Sequence, residues 1–254
     1  MHDNRKIYGL IGFPLGHSFS KDFFARKFRD ENINAEYRNF PLENISQFCS
    51  LIAGEENLRG LNVTIPYKSA VIPYLHSIDP IAEKIGAVNV IKFHNDNGII
   101  KLNGFNSDVI GFTNSIKPLL KPDHDKALVL GAGGASKAVV FGLKSMGIVP
   151  TIVSRSKTTS DYLTYHELDK EIIKNHKIIV NTTPLGMFPK IDESPDIPYR
   201  FLTENHLCYD LIYNPEETLF MKKAQSFGAQ TKNGLEMLIL QALAAWDIWT
   251  NKTG

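Results

Sequence analysis

The stretch KALVLGAGGASKAVVFGLKSMG, residues 126–147, contains an apolar strand pattern, a glycine-rich turn and a helix pattern in direct succession. Gly131, Gly133 and Ser136 follow the spacing of a G-x-G-x-x-G/A turn, with serine where the pattern has Gly or Ala. Glycines permit a tight turn and a close backbone approach, and the N–H groups that begin the next helix can bind a pyrophosphate. The stretch therefore predicts a Rossmann-type unit that binds a dinucleotide. An ordinary strand-to-helix turn is the alternative.

The next strand pattern, TIVSRSK, indicates which dinucleotide. Sites for NAD usually place Asp or Glu at the end of this strand, about 20 residues past the glycines, to hold the ribose 2′-OH. Here the strand ends in Ser154, Arg155, Ser156 and Lys157, and none of these is acidic. Hydroxyls and a planar guanidinium suit the 2′-phosphate of NADP. A solvated basic loop is the alternative, but after the glycine turn the pattern favours NADP.

The composition favours a globular protein and argues against several classes of partner. Of 254 residues, 43% are apolar and 22% charged, with 28 Lys+Arg against 27 Asp+Glu. With charges this closely balanced, the protein has no net positive potential to attract nucleic acid or an anionic membrane surface. The first residues are charged and lead directly into a strand pattern, unlike a signal peptide. Acidic and amide residues interrupt the longest apolar stretch, 235–249. We expect a cytoplasmic protein with no nucleic-acid or membrane partner.

The cysteines and histidines predict no metal site. Cys49 and Cys208 are far apart and form no CxxC pair, so both are expected to be buried thiols of a reduced protein. The eight histidines show neither HExxH nor any other ligand spacing.

Strand and helix patterns alternate along the chain, which is typical of an α/β protein. In the first part, KIYGLIG, AEYRNFPL and LNVTI are predicted strands, and Ser20 could cap a helix that runs to Glu31. The segments AVNVIKF, HNDNG and IIKL predict a hairpin, and NSDVIGFTNSI predicts a helix. After the glycine turn, KIIVNTTPLG and LCYDLIYNP continue the strands, and GLEMLILQALAAWDIW predicts a closing helix.

The segment NVTIPYK places polar and charged groups at the end of a predicted strand. Asn62 and Thr64 alternate with an apolar set that ends in Ile65, so the apolar set should pack while the polar set faces solvent or a site. Pro66 fits the first position of a helix, which would put Lys68 in the first turn, against the helix dipole. A solvated surface lysine is the alternative.

Five further polar residues are candidates for a binding site. Ser18 and Ser20 flank a predicted helix start, where they either cap the helix or bind an anion such as a carboxylate. Asn89 interrupts an apolar strand, and Gln241 lies on the packing face of the closing helix, so each needs a partner from the protein or from a ligand. Asp108 begins a predicted helix, where the dipole alone could explain it.

Eight motifs occur in an order that identifies a family resemblance. They are GFPLGHSFS, LNVTIPYK, GAVNV, GFNSDVIGF, LGAGGAS, NTTPLGM, DLIYNP and NGLEMLILQALAAW. The chain resembles the shikimate dehydrogenase family over essentially its full length. Each motif alone is weak evidence, but eight in order are highly specific.

The resemblance implies a fold and a reaction. It implies an N-terminal αβ substrate-binding domain, residues 1–104 completed by 233–254, and a Rossmann NADP-binding domain, residues 105–232. The closing helix would return to the substrate domain. The implied reaction is the reversible NADPH-dependent reduction of 3-dehydroshikimate to shikimate in chorismate and aromatic amino acid biosynthesis. We expect a monomer or a homodimer.

The resemblance also implies roles for residues in the first half of the chain and in the closing helix. Lys68 and Asp108 would be the catalytic pair, and Ser18 and Ser20 would hold the substrate carboxylate. The ring hydroxyls would be contacted by Asn62, Thr64, Asn89, Asp108 and Gln241, with Tyr213 nearby.

The implied cofactor residues follow the Rossmann strands. Thr182 and Met237 would lie near the nicotinamide. The pyrophosphate would contact Gly131, Gly133, Gly134, Ala135 and Ser136, and the 2′-phosphate would contact Ser154, Arg155 and Ser156.

Three positions depart from the family pattern. Lys21 replaces a usual Pro and Ser107 a usual Thr, and both changes are conservative for the chemistry. Ser154 replaces a usual Asn beside the 2′-phosphate residues, which leaves the strength of the NADP preference open.

Other functions remain compatible with parts of the sequence. A quinate or quinate/shikimate dehydrogenase using NAD would share the substrate residues but would favour an acid after the second Rossmann strand. An NADP-binding sensor would not need Lys68 or Asp108, and both are present. Methylene-folate dehydrogenases and methyltransferases share the Rossmann pattern, but the substrate-domain motifs argue against them.

Overall fold

The computed structural model describes residues 4–16, 18–97, 99–156 and 161–251, so Lys157 lies outside the described residues. The chain divides into two units. The first comprises Met1–Ser107 with Ala242–Gly254, and the second comprises Asp108–Gln241. The domain boundaries predicted from the sequence lie between residues 104 and 105 and between residues 232 and 233, and they remain a prediction.

The first unit is built on a six-stranded sheet. Its strand order is β2-β1-β3-β5-β6-β4, in which β5 runs antiparallel to its neighbours β3 and β6 and the other pairs are parallel. The strands are β1 (Lys6–Gly12), β2 (Ala35–Pro41), β3 (Leu58–Val63), β4 (Ser77–Ile78), β5 (Val90–Asp96) and β6 (Ile99–Phe105). The predicted hairpin is confirmed as β5 and β6.

Three helices among the described residues lie wholly within this unit. They are α1 (Phe19–Asp30), α2 (Phe48–Gly54) and α3 (Pro80–Ile85), with 3-10 turns at Ile45–Gln47 and Ile72–Tyr74. Ser18, rather than Ser20, caps α1 by accepting a hydrogen bond from the Lys21 N–H. Ser20 therefore lies inside the first turn, because the capping residue must precede the helical backbone.

The second unit is built on a six-stranded, all-parallel sheet with the order β12-β11-β10-β7-β8-β9. The first strand of this unit lies at the centre, with later strands added on each side, which is the Rossmann order. The strands are β7 (Lys126–Leu130), β8 (Val149–Ser154), β9 (Leu163–Thr164), β10 (Ile178–Asn181), β11 (Leu207–Asp210) and β12 (Gln230–Lys232).

The helices of the second unit cover both faces of its sheet. One apolar cluster includes Phe112, Val139 and Leu143, and the other includes Phe220 and Met221. The helices are α4 (Asp108–Ile116), α5 (Gly134–Ser145), α6 (Lys170–Asn175) and α7 (Leu219–Ser226), with 3-10 turns at Lys117–Leu119, Tyr165–Glu167 and Tyr199–Phe201. The last helix, α8 (Leu235–Thr250), begins in this unit and continues into the first from Ala242.

The end of α8 belongs to the first unit, where it completes an aromatic layer. Trp249 is 6% exposed, and its ring centroid lies 4.9 Å from that of Tyr8 and 5.4 Å from that of Phe24. The Trp249 indole N–H donates to the carbonyl of Ile91 at 3.1 Å. Trp246 packs in the same cluster. Residues distant in sequence thus close one face of the first sheet.

Three expectations about local structure are wrong. No α-helix begins at Pro66; residues 68–71 form turns that lead into the 3-10 turn at Ile72–Tyr74. Pro73 has no N–H to donate, so an α-helical hydrogen-bond series could not continue through it. Ile65 is 71% exposed because it follows β3 instead of packing within it. Cys49 is exposed on the short helix α2, whereas Cys208 is buried.

Candidate active site

Polar residues of the first unit gather at one edge of its sheet. The parallel strands β1 and β3 are in register, with Leu10 beside Asn62, so the segments that follow them leave the sheet at the same edge. Strand β5 begins there, since Val90 pairs with Asn62, and β6 ends there, since Phe105 pairs with Val90. The predicted site residues carried by these ends are Ser18, Ser20, Asn62, Thr64, Lys68 and Asn89.

Asn62 is a buried member of a hydrogen-bonded chain. The Tyr37 hydroxyl donates to Asn62 Oδ1 at 2.8 Å, and Asn62 Nδ2 donates to the carbonyl of Asn89 at 3.3 Å. The side chain of Ser20 also lies within hydrogen-bonding reach of the Tyr37 hydroxyl, and burial raises the pKa of Tyr37 far above its usual range. Tyr37 was missed in the sequence, since no short-range pattern links it to a partner 25 residues away.

Asn89 is fixed by the residues that follow β6. It precedes β5 and does not lie inside a strand as expected. Its Oδ1 accepts from the Ser107 N–H at 2.6 Å, and its Nδ2 donates to Ser107 Oγ at 3.0 Å. Asn106 Nδ2 donates to the carbonyl of Ala87 at 2.9 Å. Serine at 107 thus supplies the hydroxyl that the usual threonine would supply.

Lys68 is held by its backbone beside Asn89. Its carbonyl accepts from the Val88 N–H at 2.7 Å, and the preceding turn closes through the Tyr67 N–H and the Thr64 carbonyl at 2.9 Å. The side chain is half-buried. No α-helix begins here, so no helix dipole opposes the ammonium charge. The unfavourable interaction between Lys68 and a helix dipole that the sequence predicts therefore does not arise.

In the second unit, the glycine turn has the predicted form. Gly131 has φ +107°, a backbone conformation that suits glycine, and its N–H donates to the carbonyl of Val153 at 2.8 Å. A Cβ on Gly131 would lie 2.8 Å from Thr182 Oγ1. Gly133 caps α5, and a Cβ on it would meet no atom within 4 Å. The first N–H groups of α5 are therefore approachable by an anion.

The remaining predicted cofactor residues follow the carboxyl ends of neighbouring parallel strands, which share one edge of the sheet. Ser154 ends β8, and its hydroxyl donates to the carbonyl of Ser156. Burial raises the pKa of Tyr165, and the positive charge of Arg155 partly offsets this rise. Arg155 therefore lies near Tyr165. After β10, Thr182 Oγ1 donates to the carbonyl of Leu130 at 2.7 Å.

Met237 and Gln241 lie on the buried side of α8. A Cβ on Gly111 would lie 2.5 Å from the carbonyl oxygen of Met237 and 3.0 Å from Cβ of Gln241, so α4 and α8 cross closely. Gln241 Nε2 donates to the carbonyl of Leu238 at 2.9 Å. Tyr213, half-buried, follows β11.

A buried acidic group at the same edge was missed in the sequence. Asp210 ends β11 beside Asn181, which ends β10, and neither side chain is exposed to solvent. The Asp210 carboxylate accepts from Asn181 Nδ2 at 3.1 Å, the Ile212 N–H at 3.0 Å and Thr218 Oγ1 at 2.7 Å. The sequence did contain a signal for it: an acidic residue ends the apolar strand LCYD, and a buried carboxylate needs hydrogen-bond partners.

The pKa of Asp210 predicts a pH-dependent stability. Burial raises this pKa from 3.8 to about 6, against the opposing effect of its hydrogen bonds. Between about pH 4 and 6 the folded protein keeps a proton that the unfolded chain has released, so the free energy of unfolding falls by about 3 kcal/mol as the pH rises through this window. Asp210→Asn does not titrate. Urea unfolding from pH 4 to 7 should therefore show wild type losing about that much relative to the variant. A pH-independent difference would contradict the assignment.

The described residues contain neither a metal-binding cluster nor a membrane-spanning helix. No group of three or more His, Cys, Asp or Glu side chains there could hold a metal ion. No helix in the same ranges has the length and apolar character needed to cross a membrane.

Comparison with known proteins places the chain in a family. The family model described as the shikimate dehydrogenase substrate binding domain matches residues 10–91. The shikimate dehydrogenase (NADP(+)) of Methanosphaera stadtmanae is 38% identical over an alignment of 266 positions, which covers 97% of this chain and 92% of that protein. The chain belongs to the shikimate dehydrogenase family.

Solved structures agree with membership of the shikimate dehydrogenase family. The crystal structure of the Aquifex aeolicus shikimate dehydrogenase is 34% identical with a TM-score of 0.86, covering 99% of this chain and 94% of that one. The shikimate 5-dehydrogenase of Thermus thermophilus, in complex with NADP(H) and shikimate, is 29% identical with a TM-score of 0.83, covering 97% and 94%. The predicted α/β fold with a Rossmann-type unit is confirmed.

Within this shikimate dehydrogenase family member, the two predicted catalytic residues belong to different units. Lys68 lies in the first and Asp108, buried at the start of α4, begins the second. Their pairing, like the other residue roles, stays a prediction.

Proposed function

We propose that this protein is a shikimate dehydrogenase, an oxidoreductase that acts on a CH–OH group. It would reduce 3-dehydroshikimate to shikimate with NADPH, reversibly, in chorismate and aromatic amino acid biosynthesis. The observation that carries the proposal is the similarity to NADP(+)-dependent shikimate dehydrogenases over nearly the whole chain. The Thermus relative, solved with NADP(H) and shikimate, supports it. We expect the enzyme to act in the cytoplasm, as a monomer or homodimer.

The substrate residues proposed for this reaction come from one sheet edge. Ser18 and Ser20 stand at the N-terminus of α1, where hydroxyls and a helix N-terminus both favour a carboxylate. Asn62, Thr64 and Asn89 would meet ring hydroxyls, and two of them are already oriented by hydrogen bonds that Tyr37 and Ser107 make. Preorganised groups of this kind lower the entropic cost of orienting the ketone. Tyr213 and Gln241 are proposed to complete the set.

The proposed chemistry needs a proton donor at the substrate ketone. NADPH, when bound, supplies the hydride that adds to the carbonyl carbon. As the C=O π bond breaks, negative charge grows on oxygen, and the Lys68 ammonium stabilises that charge and then gives the oxygen a proton. Asp108 would orient Lys68 and share the proton. In the reverse direction neutral Lys68 takes the proton from the shikimate hydroxyl.

The cofactor residues fit a dinucleotide phosphate. The positive φ of Gly131 and the open approach over Gly133 leave room for a pyrophosphate at the start of α5, which Gly134, Ala135 and Ser136 form. Arg155, with Ser154 and Ser156, would hold the 2′-phosphate. Thr182 and Met237 are proposed to lie near the nicotinamide.

Replacing Arg155 with alanine should change the preference between cofactors. A charge-assisted hydrogen bond contributes about 1.5–3 kcal/mol, so KM for NADP should rise roughly 10- to 100-fold. KM for NAD should change little, because NAD lacks the 2′-phosphate. Initial rates with each cofactor measure this, with Arg200→Ala, a change in the 3-10 turn Tyr199–Phe201, as the control. Equal increases for both cofactors would rule out the proposed contact.

One assay tests the proposed function as a whole. The absorbance at 340 nm is followed with shikimate or quinate, each with NADP or NAD. The proposal expects the fastest turnover with shikimate and NADP. Dominant turnover of quinate with NAD would instead identify a quinate dehydrogenase, and no turnover of any pair would favour a binding protein.

A further inference from the structure

Three segments of the second unit carry residues proposed to face the substrate and nicotinamide. Thr182 lies after β10, Tyr213 lies after β11, and Met237 lies in the first turns of α8. In sequence these positions are far apart, so their relative placement depends on contacts between the three segments. Asp210 lies where these contacts meet.

The Asp210 carboxylate ties the segment after β10 to the segment after β11. On one side it accepts from Asn181 Nδ2, and Asn181 Oδ1 in turn accepts from the Thr183 N–H at 3.0 Å and Thr183 Oγ1 at 2.7 Å. On the other side it accepts from the Ile212 N–H and from Thr218 Oγ1, which are the two ends of the loop that carries Tyr213. One carboxylate thus holds residues of both segments.

The same loop fixes the start of α8. The Gly234 N–H donates to the carbonyl of Ile212 at 3.0 Å, and Asn233 Nδ2 donates to the carbonyl of Glu216 at 2.9 Å. A Cβ on Gly234 would lie 2.0 Å from the carbonyl oxygen of Leu211, so the two segments touch backbone to backbone. The loop that follows Asp210 is therefore in direct contact with the start of the helix that bears Met237.

The surroundings leave no substitute for the carboxylate. Asp210 shares its strand face with Cys208, in the apolar cluster that includes Phe220 and Met221. Its partners are an amide, a backbone N–H and a hydroxyl, all of which donate to it. Removing the carboxylate would leave buried donors without an acceptor, at a place with little access for water.

We propose that Asp210 is a positioning residue of the dehydrogenase, whose carboxylate holds the segments bearing Thr182, Tyr213 and Met237 in a single arrangement. The inference rests on the proposed function, since it concerns the residues assigned to that reaction. Asp210 itself touches neither substrate nor cofactor in this proposal. Its contribution is geometric, and misplacement of reacting groups by about 1 Å can cost roughly 100-fold in rate.

The test compares variants of the network with a matched buried hydrogen bond elsewhere. Asp210→Ala removes the acceptor, Thr218→Val removes one donor, and Thr218→Ser restores the hydroxyl. The control is Ser115→Ala, because the Ser115 hydroxyl is buried and hydrogen-bonded to Tyr209 on the opposite face of β11. Each variant is assayed for kcat and KM with shikimate and NADP. Hydrogen exchange is measured on peptides covering residues 181–188, 211–218 and 233–238.

The expected results separate positioning from general stability. Asp210→Ala should lower kcat roughly 10- to 100-fold with a smaller change in either KM, and Thr218→Val should lower it by less. Thr218→Ser should stay near wild type. Exchange should quicken in all three peptides for Asp210→Ala and in none of them for Ser115→Ala.

The inference and the proposed function fail in different ways. An inactive wild type with faster exchange in Asp210→Ala would overturn the proposed function. It would still support the role of Asp210 in holding the three segments together. An active wild type in which Thr218→Val, Thr218→Ser and Ser115→Ala have indistinguishable kcat and exchange would overturn the positioning role. The threonine pair decides the question even if Asp210→Ala does not fold.

Discussion

Lys68→Ala should fold, bind NADPH and lose roughly 10²–10⁴ in kcat, the range usual for general acid–base catalysis. The fold should survive because Lys68 contributes its carbonyl, not its side chain, to the hydrogen bond with the Val88 N–H. The loss should fall on kcat because the ammonium acts on charge that develops only in the transition state.

Three measurements check this result. Steady-state rates at 340 nm give kcat, fluorescence titration gives the affinity for NADPH, and urea unfolding reports stability. Lys84→Ala is the control, because Lys84 is an exposed lysine in the last turn of α3. Turnover near that of wild type in Lys68→Ala would remove Lys68 from the catalytic assignment, whatever the outcome for Asp108.

The largest effect on stability is expected from Trp249→Ala. This indole is buried among Tyr8, Phe24 and Trp246, and its N–H donates to the carbonyl of Ile91. Truncating a buried Trp costs about 3–5 kcal/mol, because both the buried area and the packing around it are lost. Urea unfolding followed by circular dichroism measures the loss. A change below about 1 kcal/mol would mean that the aromatic layer does not stabilise the first unit.

A second substitution tests the same contact from the opposite side. A Cβ on Gly60 would lie 2.3 Å from Trp249 Nε1, so Gly60→Ala should destabilise the wild-type protein by about 1–3 kcal/mol through overpacking. In the Trp249→Ala background that cost should disappear, since the space is then empty. Additive effects in the double variant would show that the two residues do not meet.

The Rossmann unit was predictable because its signals are local. The glycines at 131 and 133 specify a turn, the flanking residues specify a strand and a helix, and each signal lies within about 20 residues. The absence of an acidic residue directly after β8, which favours NADP over NAD, is an equally local signal. The family motifs then located the residues of the proposed site without any knowledge of their contacts.

The features that were missed depend on contacts between distant segments. Pro66 suits a first turn and so predicts a helix that includes Lys68, but Pro73 cannot donate to a carbonyl in the preceding turn, and a 3-10 turn forms there instead. Asn62 meets Tyr37, and Asp210 meets Asn181, over 25 and 29 residues. No periodicity within a single strand reports such pairs, because they depend on which strands become neighbours and in which register.

The placement of α8 has a consequence for biosynthesis on the ribosome. Tyr8, Phe24 and Phe28 are made early, but Trp246 and Trp249, which cover them, emerge only after the whole of residues 108–241. At about 5–20 residues per second, that interval is on the order of ten seconds. During it the nascent chain would expose an aromatic surface while the second unit is still being synthesised.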